Sequence, residues 1–413
     1  MITARKLSIP RDRDERLHYM HQLFPQAAGA PLQDDWQGGR HAALGRLKAV
    51  DAVTYAKNRN FINGAVTKLS PYLRHGCITL KEAVDSVQAR FGLAGEKLIM
   101  ELAWRDYWRQ VWYARGNGIL SDIEPPKVSL GNRKLPEFVT QTFTGLPCMD
   151  GIVQDLRTTG YVHNHARMWL AAYVLHWLKV DWREAADWFE SQLLDGDIAS
   201  NHLSWQWVAS VFSSKPYYFN KENLSRFTGE HYCEKCRVEC PFDASYETLN
   251  TRLFTPTSTA ANVYNINMPA KQSISPHQSW ALFVHDEMLS PNHPLMQKNM
   301  QRFFVFDDAL HGKWPLKRLQ FVADCINDMP EMEVWHGDTR EILKQRGVGR
   351  VHTQNTPNLL VRELLAPFNP MWEAEVKISH AEISEKRLQR FSRYWEKVGP
   401  TILGDDYQER PKS

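Results

Sequence analysis

The sequence has no long apolar run. Its most apolar stretch, "MWLAAYVLHWL" at 168–178, is too short to span a bilayer, so no membrane partner is expected. The N-terminal "MITARKLSIPRDRDERLHYM" contains no apolar core of signal-peptide length. The expectation is a cytoplasmic protein whose thiols stay reduced. A charge excess is also missing. Fifty Lys and Arg against 47 Asp and Glu leave a net +3, too little to announce a nucleic-acid binder, although local basic patches stay open. No internal repeat is evident. Cysteines number only six, yet three crowd into "YCEKCRVECPF" as Cys233, Cys236 and Cys240. In a reducing compartment such a cluster points to metal or redox chemistry before disulfides.

What is abundant is tryptophan, with 15 residues. Most indoles in any protein pack, but they also stack on flat ligands and carry electrons. The stretch "LLDGDIASNHLSWQWVAS" places Trp205 and Trp207 shortly behind Asp195, Asp197 and Asn201. A surface would not tolerate that much indole, and a plain core would not take the carboxylates. The stretch reads as a pocket wall for something flat and polar at once. Read alone, Asp195 and Asp197 also fit a solvated turn.

A length of 413 residues with 43% hydrophobic content suits two or three domains with real cores. From about 40 to 250 the pattern is helical. "GEKLIMELAWRDYWRQVWYAR" spaces apolar residues by three and four, and "HARMWLAAYVLHWLKV" is apolar nearly all round. Residues 255–278 are rich in Ser, Thr, Asn and Pro and read as a linker. Beyond them, short apolar runs such as "RFFVFDD" and "MEVWHGD" alternate with helical stretches such as "LKRLQFVADCIND". That alternation argues for a parallel sheet covered by helices. The predicted organisation is an all-helical domain over 1–254, a linker over 255–278, and a Rossmann-like parallel α/β domain over 279–413.

Five motifs occur in order in the helical half: "GGRHAALGRLKAVDAVTYAKNRNF", "VTKLSPYLRHG", "ELAWRDYW", "TTGYVHNHARM" and "DWREAADWFESQLLDGDIASNHLSWQWVAS". Together they resemble the flavin-binding domain of the DNA photolyase/cryptochrome family. The resemblance implies a bent FAD held by Tyr55, Thr67, Lys68, Leu69, Ser70, Arg105, Asn164, Arg167, Asp195, Asp197 and Asn201. Thr67 and Ser70 are hydroxyls at a helix start, a place suited to a pyrophosphate, though taken alone Ser70 is more readily explained as an ordinary N-cap serine. "VTKLSPYL" departs by one residue from the family's "TSxLSPYL". The resemblance also implies that Arg167 pairs with Asp195, that Asp197 accepts from the flavin edge, and that Asn201 faces flavin N5.

For the substrate, the resemblance implies that Glu101, Trp104, Asn164, Met168 and Trp207 receive a cyclobutane pyrimidine dimer flipped out of UV-damaged DNA. Trp104 fits a core tryptophan equally well. The (6-4) branches carry histidine where Asn164 stands. In the family a line of tryptophans carries electrons to the flavin. Trp205 matches its first member and Trp182 its second, while Ser129 stands at the third place, leaving Trp177, Trp188 and Tyr173 as candidates to take over. The residues with catalytic roles are thus Trp205, Trp182, Asn201 and Glu101.

"SSKPYYFNKENLSRFTGEHYCEKCRVECPFDASYETL" is similar to the tail of iron–sulfur bacterial photolyases, with Cys148 at the place of their fourth ligand. The resemblance implies a [4Fe–4S] cluster on Cys148, Cys233, Cys236 and Cys240. Zinc and bystander thiols remain alternatives. Cys77 and Cys325 read as buried thiols. The segments "WALFVHDEMLSPNHPLM" and "EVWHGDTREIL" resemble the α/β domain that photolyases carry first, which implies a circular permutation. An antenna pigment is not named by any motif. The function implied is light-driven repair of cyclobutane dimers by a monomer. A cryptochrome-like photoreceptor, a (6-4) photolyase and a zinc-stapled nucleic-acid binder are the alternatives.

Overall fold

The computed structural model describes residues 4–254 and 279–407, apart from 230, 235, 405 and 406. The expected linker, 255–278, lies outside the described residues. The described residues form two compact units, one drawn from 4–49, 68–83 and 279–377 and the other from 50–67, 84–254 and 378–407.

The first unit is α/β. Its six strands are β1 (Arg5–Leu7), β2 (Ser279–Phe283), β3 (Gln301–Phe306), β4 (Glu333–His336), β5 (Val348–Gln354) and β6 (Met371–Glu373). They lie in the order β1-β4-β3-β2-β5-β6, all parallel except β1, which runs antiparallel to β4. Continuous apolar runs explain the central strands. Phe303, Phe304, Val305 and Phe306 are all buried, as parallel strands covered on both faces require. The sheet reverses direction of growth at β2, between β3 and β5, as doubly wound sheets do.

A domain boundary at 254 leaves residues 4–49 in the helical half, whereas they fold with the sheet. β1 has only three residues and no alternation to mark it. The helix Leu316–Asn327 shows why this arm matters. Its residues 316–326 are all buried, including Lys317, Arg318, Gln320 and Asp324, because the N-terminal arm covers it. Arg16 Nη2 meets Asp324 Oδ1 at 2.8 Å, Gln320 accepts from Leu32 N and donates to Leu17 O, and Gly38 N donates to Asp324 Oδ2. A Cβ on Gly38 would lie 2.2 Å from Phe321 O, so only glycine permits this approach. Cys77 and Cys325 are fully buried, with their sulfurs 3.5 Å apart.

The second unit is helical. Its core gathers Trp169, Leu170, Val174, Trp182, Phe189 and Trp205 from the helices Asn164–Ala172, Trp182–Gln192 and Ile198–Ala209 and the π-turn Tyr173–Trp177. The last described helix, Phe391–Leu403, also belongs here and packs on the helix Glu96–Arg115.

We predict that Asp324→Ala lowers unfolding free energy by about 3–5 kcal/mol, because it leaves the Arg16 guanidinium buried without a counter-charge. Asp34→Ala, which removes the fully exposed partner of Arg13, should change it by less than about 0.5 kcal/mol in the same denaturant titration.

Candidate functional site

The corner Leu193–Asp197 precedes the helix Ile198–Ala209, and Asp197 forms its N-cap by accepting from Ser200 N at 2.7 Å. Asp197, Asn201 and Trp205 follow at intervals of four and so share one face of that helix. They are buried at 6%, 8% and 3% exposure, which rules out the solvated turn. Asn201 donates through Nδ2 to Ala186 O at 2.8 Å and accepts from Trp205 Nε1 at 3.2 Å. The amide therefore ties its own helix to Trp182–Gln192 and orients the indole.

Two arginines neutralise the corner. Arg167 Nη2 donates to both oxygens of Asp195, at 3.0 and 2.9 Å, while its Nε donates to Val162 O. The expected Arg167–Asp195 pair is thus present. Arg105 Nη2 donates to Asp197 Oδ2 at 3.0 Å. The carboxylates are buried but their arginines keep a fifth to a quarter of their surface open. Carboxylate oxygens have lone pairs beyond these bonds. Acceptors from Asp197 and Asn201, next to Trp205 and under two cations, fit a flat ring with N–H donors on its edge.

Other expected flavin contacts are placed as follows. Tyr55 is half-buried on the helix Ala52–Asn58, and burial raises its hydroxyl pKa. Asn164 is exposed at the first position of its helix, one turn before Arg167 and Met168. Ser70 opens a helix of five residues, Ser70–Arg74, with Leu69 at the cap, so it is not an N-cap serine. Lys68, at the altered position of the motif, stands in left-handed backbone with φ 51°. Thr67 falls in the helical unit and Lys68, Leu69 and Ser70 in the other.

Of the expected substrate residues, Glu101 is paired with Lys97 at 3.0 Å and Arg59 at 3.4 Å. Trp104 is half-buried beside Tyr107 and Trp108, and one face of its ring is stacked on Phe391, with centroids 3.8 Å apart and planes 9° apart. The segment carrying Phe391 is anchored to the same helix: Tyr394 donates to Asp106, and Tyr107 to Leu388 O. Trp207 is half-buried and tilts against Tyr217. His163, next to Asn164, is held neutral by burial, with His165 adding to the effect, and its pKa falls to about 4.

Trp182 is 2% exposed, and its helix packs on Ile198–Ala209 through His202 and through Phe189 against Trp205. Its Nε1 donates to Asp122 Oδ1 at 2.8 Å. Ser129 lies outside any helix or strand. Trp177 and Tyr173 pack on Phe242 instead, and Trp188 lies 6.2 Å from Phe189.

Phe242 also borders the cysteine site. Cys148, Cys233, Cys236 and Cys240 line one part-open pocket with Tyr232 and Lys221, with a cavity volume of about 50 Å³. Burial, with Cys240 and Cys233 close by, pushes the Cys148 thiol up to about 12. Among the described residues no group of three or more His, Cys, Asp or Glu side chains is set to hold a metal ion.

Asp122, Phe391, Arg59 and Lys97 were not marked by the sequence. Asp122 sits in "LSDIEPP", where no periodicity points to the Trp182 indole.

Residues 98–239 match the family model described as the FAD binding domain of DNA photolyase. A deoxyribodipyrimidine photo-lyase of Streptomyces griseus is 38% identical over 148 residues, 36% of this chain and 32% of the relative. A cryptochrome DASH of Idiomarina loihiensis is 32% identical over 212 residues, 47% of this chain and 46% of the relative. Among solved structures, a Synechocystis cryptochrome is 28% identical, with a TM-score of 0.45 over 50% of this chain and 47% of that one. A class III photolyase of Agrobacterium tumefaciens is 21% identical, with a TM-score of 0.44 over 57% of each chain. The chain spans about a third to a half of the length of the curated relatives it matches. Residues 98–239 thus form a flavin-binding domain of the DNA photolyase/cryptochrome kind.

Proposed function

We propose that this protein binds FAD against Asp195, Asp197 and Asn201 and uses light to repair cyclobutane pyrimidine dimers in UV-damaged DNA. The observation that carries the reading is the buried Asp197–Asn201–Trp205 face, two carboxylates deep and neutralised by Arg105 and Arg167, inside the family-matched span. Reduced FAD, when bound and excited, supplies the electron that splits a dimer and recovers it afterwards. The residues around it need no acid or base for that ring opening. Asp195 holds Arg167, Asn201 fixes the Trp205 indole, and Trp104 with Trp207 offers apolar walls. Asn164 stands where the (6-4) branches carry a histidine, and its amide cannot serve as the acid that a (6-4) chemistry requires.

A photoreceptor reading is favoured by one contact. Phe391 already occupies a face of Trp104, so only the other remains for a base. Most of the sheet, within residues 279–377, follows the helical residues 84–254, which we read as a permutation of the family's usual order, with the N-terminal residues returning to the sheet. We also propose a [4Fe–4S] cluster for the cysteine pocket, with zinc as the rival.

Two outcomes are expected. Chemically reduced protein, illuminated with an oligonucleotide carrying one cyclobutane thymine dimer, restores the two thymines. Trp104→Ala weakens binding of that oligonucleotide about tenfold, given roughly 1–3 kcal/mol per stacked base. Intact reduced protein that repairs nothing, or only (6-4) products, contradicts the repair reading. Separately, anaerobically purified protein should contain about four irons per chain, the count of one such cluster. Cys148→Ser should lose them, and zinc without iron would overturn the cluster.

A further inference from the structure

Asp122 has no part in the family resemblance, yet it holds the Trp182 indole. Its Oδ1 accepts from Trp182 Nε1 at 2.8 Å and from Arg183 Nη2 at 2.6 Å. The Asp122 side chain is 10% exposed and Trp182 2%, so water has little access to the indole N–H. The Arg183 guanidinium also lies over the Trp182 ring, 4.7 Å from its centroid, and keeps a second carboxylate, Asp181, at 3.4 Å. Trp182 is therefore an indole with a carboxylate on its proton and a cation on its face.

We propose that Asp122 is the proton acceptor of Trp182, taking the indole proton when Trp182 gives up an electron. The assignment rests on the flavin reading above for the oxidant: a bound, oxidised flavin would supply the light-driven oxidising equivalent, with Trp205 as the residue that would meet it. One electron then passes from Trp182 to Trp205. Trp205 is restored, and Trp182 becomes an indole radical cation. Its Nε1–H bond breaks, the proton moves to Asp122 Oδ1, and the products are a neutral indolyl radical and a neutral carboxylic acid. Spin stays on Trp182 and no atom is lost.

The charges favour this step. A radical cation beneath a guanidinium suffers like-charge repulsion, which loss of the proton removes. The preformed hydrogen bond from Trp182 Nε1 to Asp122 Oδ1 sets the path of the proton. Arg183 keeps Asp181 as partner once Asp122 is neutral. The step also suits the serine at 129. With no tryptophan there to pass the charge outward, deprotonation holds the oxidising equivalent at Trp182 and slows its return.

Asp122→Asn tests the assignment, because an amide oxygen still accepts the indole hydrogen bond but does not take the proton. Radicals are generated in two ways: by a light flash on flavin-loaded protein, and by pulsed azide radicals on flavin-free protein. The Trp182 signal is isolated in both by subtracting Trp182→Phe. The wild type should show the absorption of the neutral indolyl radical, with a solvent deuterium isotope effect on its appearance. Asp122→Asn should keep the radical-cation band on the order of 100-fold longer, the scale of a positioned general base, and Asp122→Glu should restore fast deprotonation. Loss of the flash signal alone, with the pulse result intact, counts against the flavin reading and supports the role of Asp122. Equal deprotonation rates in wild type and Asp122→Asn in the pulse experiment overturn it.

Discussion

Two carboxylates two residues apart are buried at the corner before the Ile198–Ala209 helix, and the helical unit depends on how they are neutralised. An unpaired buried carboxylate costs several kcal/mol. Asp195 is met by Arg167 of the Asn164–Ala172 helix and Asp197 by Arg105 of the Glu96–Arg115 helix. Three helices are thereby pinned at one point. Because Asp197 also caps its helix, the register of that helix is set, and Asn201 and Trp205 fall on the same face one and two turns later. The chain of contacts from Asp197 to Trp205 is a consequence of where the helix starts. Tilting that start by one residue would turn the indole away.

That arrangement was readable in part. Spacing by four puts Asp197, Asn201 and Trp205 on one face without any structure, and the Arg167–Asp195 pair came from the family motifs. Strands such as "FFVFDD" and "MEVWHGD" were legible because parallel strands are apolar throughout. β1 was not, since three residues of an edge strand carry no pattern. The Leu316–Asn327 helix shows a different failure. Its Lys317, Arg318 and Asp324 look like a solvated stripe, yet all are buried, and Asp324 is met by Arg16 and Gly38 from some three hundred residues away in sequence. Asp122 and Phe391 stayed hidden for the same reason. Each acts through a partner distant in the chain, and neither has a spacing that announces it.

The aromatic side chains divide into two groups with different surroundings. Trp182 and Trp205 sit among Asp122, Arg183, Asn201 and His202, polar groups that can respond to a change of charge. Trp177 and Tyr173 pack edge to face on Phe242, which also lines the cysteine pocket. Trp104 belongs to neither group. Its neighbour Phe391 comes from the last described helix, so the end of the chain returns to complete the wall begun by Glu96–Arg115.

The claim on which the rest stands is that the buried Asp197–Asn201–Trp205 face holds a flavin. An absorption spectrum of the gently purified protein, taken before and after release of any bound chromophore, tests it most directly. The account predicts the two-banded flavin spectrum at close to one flavin per chain, falling sharply in Asp197→Ala. A colourless wild-type protein that stays colourless after incubation with FAD would contradict it.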